Sequence, residues 1–101
     1  MIVYNVTTNV SWAVHDDWLL WLRQEHIPQM LQTGCFFESR VLRLLDVDDE
    51  QGPTYAVQLH APSAADYEVF ITQYAASIFR STNERWGNEI IAFSSVMEVL
   101  H

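Results

Sequence analysis

The stretch Trp18-Leu-Leu-Trp-Leu-Arg-Gln-Glu-His-Ile-Pro28 decides the fold prediction for this chain. Its apolar residues recur at helical spacing, so we predict an amphipathic helix that starts after Ser11, a suitable N-cap, and runs to about His26. Because Pro28 lacks an amide hydrogen and disfavours helical backbone before it, we expect a kink or break there, then a short turn through Leu31.

After this helix, Gly34 fits the position just past a helix end. Segments with the composition of β-strands lie on both sides of the helix in the sequence. Strands are predicted over residues 2–9, 37–45, 54–60 and 90–100, with a solvated hairpin loop over 46–53. A second helix opens at Ser63 and ends at Gly87, with room for a break near 75–77. This β-α-β-β-α-β order predicts one α+β domain over 1–101 with a ferredoxin-like split fold, in which two helices cover one face of a four-stranded antiparallel sheet.

The apolar content of the strands predicts a partner subunit. Half of the 101 residues are hydrophobic, and the second strand is apolar on both faces, with Val41 and Leu45 on one and Leu42 and Leu44 on the other. The two predicted helices cover only one face of the sheet, so the apolar side chains on the open face need something else to pack against. A second copy packed sheet to sheet is the simplest one, which predicts a homodimer through the open sheet face, arranged as a dimeric α/β barrel.

Charge and composition exclude several partners. The net charge is −8, with 13 acidic residues and five basic ones, all arginine. Such a surface repels phosphate backbones and anionic headgroups, so we expect no nucleic-acid and no membrane partner. No segment resembles a membrane span or a secretory leader, and Cys35 is the single cysteine, which favours a cytoplasmic protein with Cys35 in a packing role.

The first helix carries the candidate site. At about 100° per residue, Leu22 lies at the centre of its apolar face, with His15 and His26 within about 60° and Glu25 on one flank. Leu20 alone points outward among the leucines of this helix. With residues from the sheet, the predicted ligand pocket comprises Trp18, Trp21, Leu22, Glu25, His26, Arg43 and Gln58.

Two interpretations of His26 stay open. It donates a hydrogen bond to a carbonyl freed by Pro28 and so closes the helix break, or it lines a cavity between helix and sheet as a general base or ligand-binding group. Arg40 and Arg43 lie on opposite faces of their strand. Each pairs with an acid such as Glu25, Glu38 or a cross-strand carboxylate, or one reaches an anionic ligand.

Other patterns predict structure rather than chemistry. We expect no metal site, because no short set of ligands is present and the acidic loop Asp46-x-Asp48-x-Glu50 has Gln51 where a calcium loop needs glycine. The second helix carries an apolar stripe at helical spacing, which predicts core: Tyr67, Phe70, Ile71, Tyr74 and Ile78.

Five segments spread over nearly the whole chain carry a family resemblance: Met1-Ile-Val-Tyr-Asn-Val-Thr7, residues 18–28, Thr33-Gly-Cys-Phe36, Thr54-Tyr-Ala-Val-Gln58 and Ile91-Ala-Phe93. They resemble an uncharacterised bacterial family known as a domain of unknown function, which implies a ferredoxin-like fold and no established activity. Glu25-His26-x-Pro28 and Gly34-x-Phe36 are also distantly similar to the dimeric α/β-barrel superfamily, which includes antibiotic-biosynthesis monooxygenases, stress-responsive barrel proteins, muconolactone isomerases and haem-degrading enzymes. In several of its branches a histidine of the first helix faces the pocket, and His26 matches that position.

Three functions follow as hypotheses. The first is a homodimeric barrel that binds a small, largely apolar or aromatic molecule without transforming it, or that is simply structural. The second is a cofactor-independent monooxygenase or isomerase with His26 as general base, a substrate stacked on Trp18 or Trp21, and Arg43 or Gln58 stabilising the oxyanion. The third is haem binding through His26; otherwise no cofactor is expected.

Overall fold

Four antiparallel strands form one sheet in the computed structural model, which describes residues 1–101. The strands are β1 (Ile2–Val10), β2 (Glu38–Arg43), β3 (Thr54–Ala61) and β4 (Ile90–Glu98), in the spatial order β2-β3-β1-β4. The helices are α1 (His15–Trp21), α2 (Ile27–Gln32), α3 (Ala64–Gln73) and α4 (Ala75–Trp86). This arrangement confirms the α+β, ferredoxin-like prediction.

The first helical segment does not break at Pro28. A 3-10 turn over Trp12–Val14, capped by the Ser11 side chain, leads into α1, and a π-helical stretch over Leu22–His26 joins α1 to α2. The Ile27 amide donates to the Leu22 carbonyl, five residues back. The predicted break is therefore wrong, since a π turn keeps the segment helical up to Pro28. Pro28 then lies in the first turn of α2, where proline is tolerated.

Glycine ends this segment as predicted. Gly34 follows α2 with a φ of 78°, in the left-handed region where a side chain is disfavoured, and its amide donates to the Leu31 carbonyl at 3.2 Å. The chain then turns into the sheet through Cys35 and Phe36, which are both buried. Burial of Cys35 agrees with its predicted packing role.

The second helical segment divides at Tyr74, within one residue of the expected break. Ser63 caps α3 by accepting from the Asp66 amide at 3.3 Å, and Gly87, with a φ of 52°, ends α4. The predicted core stripe is correct at Phe70 and Ile78 and wrong at Ile71 and Tyr74, which are 38% and 36% exposed. The non-helical backbone at Tyr74 shifts the helical phase, so a single stripe does not run through both helices.

Strand register defines two faces of the sheet. On the covered face, against which the helices pack, Tyr4 lies opposite Leu59 and Val10 is fully buried. Trp18, Leu22, Met30 and Phe70 belong to the same core.

The other face, which we call the open face, carries a polar row. Across the four strands, Arg40 lies opposite Gln58, Gln58 opposite Asn5, and Asn5 opposite Ser95. The outer strand β4 is largely apolar on this face, with Ile91, Phe93 and Met97 all more than two-fifths exposed, and β2 adds the exposed Leu42 beside Glu38 and Arg40. The expectation that the strands are apolar on both faces is therefore right for β4, right only at Leu42 for β2, and wrong for the middle of the sheet.

The loop between β2 and β3 is only partly the solvated hairpin expected. Residues 45–51 are exposed, but Gly52 and Pro53 are buried against the end of β1. The Trp12 indole nitrogen donates to the Asp49 carbonyl at 2.9 Å, and a Cβ on Gly52 would lie 1.6 Å from the Val10 carbonyl oxygen. This close approach requires glycine and fixes the loop to the start of the first helical segment. No helix in the fold combines the length and the apolar character that crossing a membrane requires.

Candidate functional site

The main cavity lies under the edge strand β4 and has a volume of about 690 Å³. Its floor is the covered face of β1 and β4, and its walls are the π-helical segment and α4. Ala92 and Ser94 on β4 point to this side but remain exposed, so the cavity opens to solvent along that strand. The cavity exists because the helical layer stops short of the sheet edge. Its lining includes Tyr4, Val6, His26, Met30, Phe79, Arg80, Thr82, Asn83, Asn88 and Ile90.

The π-helical segment sets the position of His26. In a regular α-helix, residues five apart are separated by about 140° around the axis. Here Trp21 and His26 instead stack, with ring centroids 4.6 Å apart and an interplanar angle of 21°. Trp21 in turn meets the buried Trp86 edge to face, with centroids 5.5 Å apart. The indoles support the imidazole from behind and hold it in the cavity wall.

His26 is a neutral imidazole at ordinary pH. Burial lowers its pKa from 6.5 to about 4, because an apolar environment disfavours the charged ring. Its Nδ1 atom is enclosed and has no hydrogen-bond partner, so Nδ1 does not donate to a carbonyl freed near Pro28. The interpretation in which His26 closes the helix break through that bond is not what the structure shows. The ring nitrogen left to a ligand in the cavity is Nε2.

Tyr4 supplies an aromatic floor with a neutral hydroxyl. Burial raises the pKa of Tyr4 to about 12, while a hydrogen bond with Ser94 partly offsets that shift. Its ring lies 5.5 Å from Phe70 and 6.5 Å from Phe79, centroid to centroid. Because Tyr4 is only 2% exposed, it closes the floor of the cavity and belongs to the core.

Of the seven residues predicted for the pocket, His26 alone lines this cavity. Trp18 is 2% exposed and stacks on Tyr55 in the core. Trp21 lies behind His26 rather than in the lining, and Glu25 is exposed. The prediction that a glutamate shares the buried helix face is therefore wrong, because the π turn changes the phase on which that prediction depends.

The remaining three predicted residues lie elsewhere. Leu22 and Arg43 meet at a second, smaller pocket of about 270 Å³. Gln58 faces the open side of the sheet, since Tyr55, Val57 and Leu59 alternate with it and take the covered side. The sequence alone shows this alternation, which places Gln58 on the face of the sheet away from the helices. Arg43 is also tied to the hairpin loop, with its guanidinium 3.3 Å from the Asp49 carboxylate.

Both ring nitrogens of His15 have hydrogen-bonding partners outside the cavity. Its Nε2 lies 2.7 Å from the Tyr55 hydroxyl and its Nδ1 3.2 Å from the Asp16 carboxylate. The two histidines of the first helical segment thus differ: His15 has local partners, and His26 has none. No group of three or more His, Cys, Asp or Glu side chains is placed to hold a metal ion.

Sequence reasoning missed the wall formed by α4. Phe79, Arg80, Thr82 and Asn83 recur at helical spacing and line the cavity. The apolar stripe of this helical segment predicted a packed core, and no site was expected on the neighbouring side of the helix. The only sequence signal for that flank was its i, i+1, i+4 spacing, which does not by itself distinguish a cavity wall from a solvated helix face.

The sheet order, the helices on one face and the cavity under an edge strand define an α+β domain of the ferredoxin-like class. Residues 1–100 match DUF4286, described as a domain of unknown function, and the chain belongs to this family. A comparison with curated proteins finds no match to the chain. The family assignment agrees with the resemblance carried by the five sequence segments.

Proposed function

We propose that this domain binds a small, largely apolar or aromatic molecule in the cavity beside His26. The observation that carries the proposal is a cavity of about 690 Å³ walled by the neutral His26 imidazole, whose enclosed Nδ1 has no hydrogen-bond partner in the protein. Ligand sites are typically roughly 300–1,000 Å³. A buried polar atom without a partner is costly, and such atoms often belong to sites.

The lining has the character of a small-molecule site. Seven of its 14 residues are hydrophobic, and they concentrate on the sheet side, at Val6, Ile90 and Ala92. Six other lining residues have polar side chains, and all of these except Ser94 lie on the helical walls or just past the end of α4. An apolar surface with a small number of directed polar groups orients a ligand while apolar contact supplies affinity.

The chemistry of the site favours binding over turnover. With a pKa of about 4, His26 stays unprotonated at neutral pH but is a weak proton acceptor, whereas efficient general bases have a pKa near the working pH. The two residues considered as oxyanion donors, Arg43 and Gln58, do not line the cavity. His26 therefore acts as a hydrogen-bonding group toward a bound molecule rather than as a general base.

A neutral fluorescent probe tests the proposal. N-phenylnaphthylamine brightens on entering an apolar site, and we expect saturable binding of one molecule per chain. The variant Ala92→Phe places a ring over the exposed cavity floor and should abolish binding. Ala76→Phe makes the same change at an exposed position of α4 outside the lining and should preserve it. Absence of binding by the wild-type protein, or equal binding by both variants, would refute the proposal.

We also propose that two copies pair through their open faces. Ile91 and Phe93 are 72% and 63% exposed there, and the enclosed Asn5 Oδ1 and both ring nitrogens of His60 lack hydrogen-bond partners on the same face. From strand spacing and rise, the face covers roughly 500 Å² in projection. That approaches the ~800 Å² of accessible surface that each partner contributes to a standard interface. A second copy offers the apolar contact that Ile91 and Phe93 lack in a single copy.

Sedimentation velocity at micromolar concentration tests the pairing. The wild-type protein should sediment as twice its 11.7 kDa mass. The double variant Leu42→Glu/Ile91→Glu charges two exposed apolar residues of the open face and should sediment as a monomer with an unchanged circular dichroism spectrum. Leu20→Glu/Val69→Glu charges exposed apolar residues of the helical layer and should remain dimeric. A monomeric wild-type protein would overturn the pairing.

A further inference from the structure

The charge distribution around the cavity differs from that of the rest of the chain. Thirteen acidic residues give the protein a net charge of −8, yet none of them lines the cavity. The lining does include Arg80, one of only five basic residues. Arg80 is thus the one charged side chain in the cavity lining of a strongly acidic protein.

Arg80 has no acidic partner. The two ion pairs of the protein join His15 to Asp16 and Arg43 to Asp49, and neither involves Arg80. Its guanidinium keeps its five donors available, in a planar fork that matches a carboxylate or sulfonate. Arg80 is exposed, and it lies in the cavity wall beside Phe79.

Amide side chains extend the polar side of the cavity. Asn83 lies three residues, close to one helical turn, beyond Arg80 on the same wall, and Asn88 lines the cavity just past the end of α4. Apolar residues of β1 and β4 form the opposite side, and His26 lies in the wall contributed by the first helical segment. The two sides suit the two ends of an amphipathic molecule.

We infer that the ligand of this cavity carries one anionic oxygen group, held by Arg80 with Asn83 and Asn88, on an apolar or aromatic body that rests on the sheet. This inference rests on the proposed binding function and narrows it to a chemical class: small aromatic or aliphatic monoanions such as carboxylates or sulfonates. The neutral His26 adds no charge and accepts or donates one hydrogen bond at the body of the ligand. Dianionic phosphates fit less well, because a single cation faces them in a strongly acidic protein.

Two dyes with a shared skeleton isolate the anionic group. Anilinonaphthalene sulfonate is N-phenylnaphthylamine with one added sulfonate, so the pair differs in that group alone. Arg80→Gln should weaken the sulfonate dye about tenfold, the loss of one charge-assisted contact, and change binding of the neutral dye less than about twofold. Arg80→Lys should restore most of the affinity for the sulfonate dye, and added salt should weaken the sulfonate dye only.

Control variants separate failure of this inference from failure of the binding function. Arg23→Gln removes the same charge from an exposed residue outside the cavity and should affect neither dye. Ala92→Phe should abolish binding of both dyes. If the neutral dye binds and Arg80→Gln leaves the sulfonate dye unaffected, the anion assignment is overturned while the binding function stands. Sulfonate binding that survives Ala92→Phe also overturns it, and failure of both dyes to bind overturns the binding function itself.

Discussion

Protonation of His26 should make the stability of this domain strongly dependent on pH. Its pKa is 6.5 as a free side chain and about 4 in the folded protein. Between these values the unfolded chain binds a proton that the native protein excludes, so acid favours unfolding. The contribution of His26 to the free energy of unfolding is complete above pH 6.5 and is lost as the pH falls toward 4. At about 1.4 kcal/mol per pKa unit, the difference amounts to about 3 kcal/mol.

Urea denaturation followed by tryptophan fluorescence measures this effect. The wild-type protein should be compared with His26→Gln and His26→Phe at several pH values between 6.5 and 4. Neither variant has a titrating ring at this position, so the wild-type protein should lose about 3 kcal/mol more stability than either one across that range. Glutamine is polar and phenylalanine is apolar. If both variants lose the pH dependence, its cause is protonation of His26 and not a change in packing.

Parallel pH curves for the wild-type protein and both variants would refute the reasoning. They would mean that His26 titrates alike in the folded and unfolded chain, and thus that the imidazole is not enclosed. The same result would weaken the assignment of His26 to the cavity wall, since burial is the cause of its low pKa.

Three further changes test the local structure by thermal or urea denaturation. Gly52→Ala should cost about 3 kcal/mol or more, because the new Cβ would overlap the Val10 carbonyl oxygen; a loss below about 1 kcal/mol would contradict the close approach. Ser63→Ala should cost about 1 kcal/mol through loss of the cap on the Asp66 amide, and an unchanged stability would argue against that cap. The buried Tyr4 phenol resists ionisation, so the wild-type protein should lose about 2 to 3 kcal/mol of stability as the pH rises from 10 to about 12. Tyr4→Phe should not show this loss. Equal alkaline stability of the two proteins would show that the phenol is accessible.

The fold was predictable because local signals agreed with one another. The alternation of Tyr55, Val57 and Leu59 marked β3 and its covered side, and Ser63 and Gly87 marked the ends of the second helical segment. Each of these signals acts over a few residues and depends on backbone chemistry that tertiary structure does not override here. Their sum was sufficient to predict the order of strands and helices along the chain, and that order indicated the ferredoxin-like fold.

The candidate site was less predictable because it depends on a π turn. Helical-wheel reasoning assumes 3.6 residues per turn, and the Leu22–His26 segment departs from that period. The departure places Trp21 against His26 and leaves Glu25 exposed. Pro28 signalled that the helix would be irregular, but proline is compatible with a break, a kink or a π turn, and the choice depends on packing against the sheet and α4.

The cavity itself had no sequence signature. It arises where the helical layer fails to cover β4, which is a relation between elements far apart in the chain. Arg80 and Asn83 belong to it only because α4 lies over that edge. His26 was identified from the sequence because its apolar helix face and the nearby proline are both local features.

The most direct test of the binding site is the nuclear magnetic resonance spectrum of the labelled protein during titration with N-phenylnaphthylamine. The account predicts that the imidazole resonances of His26 shift together with those of Phe79 and Ala92, which surround the cavity, at one molecule of dye per chain. Shifts confined to the open-face residues Leu42 and Ile91, with His26 unchanged at saturation, would contradict it.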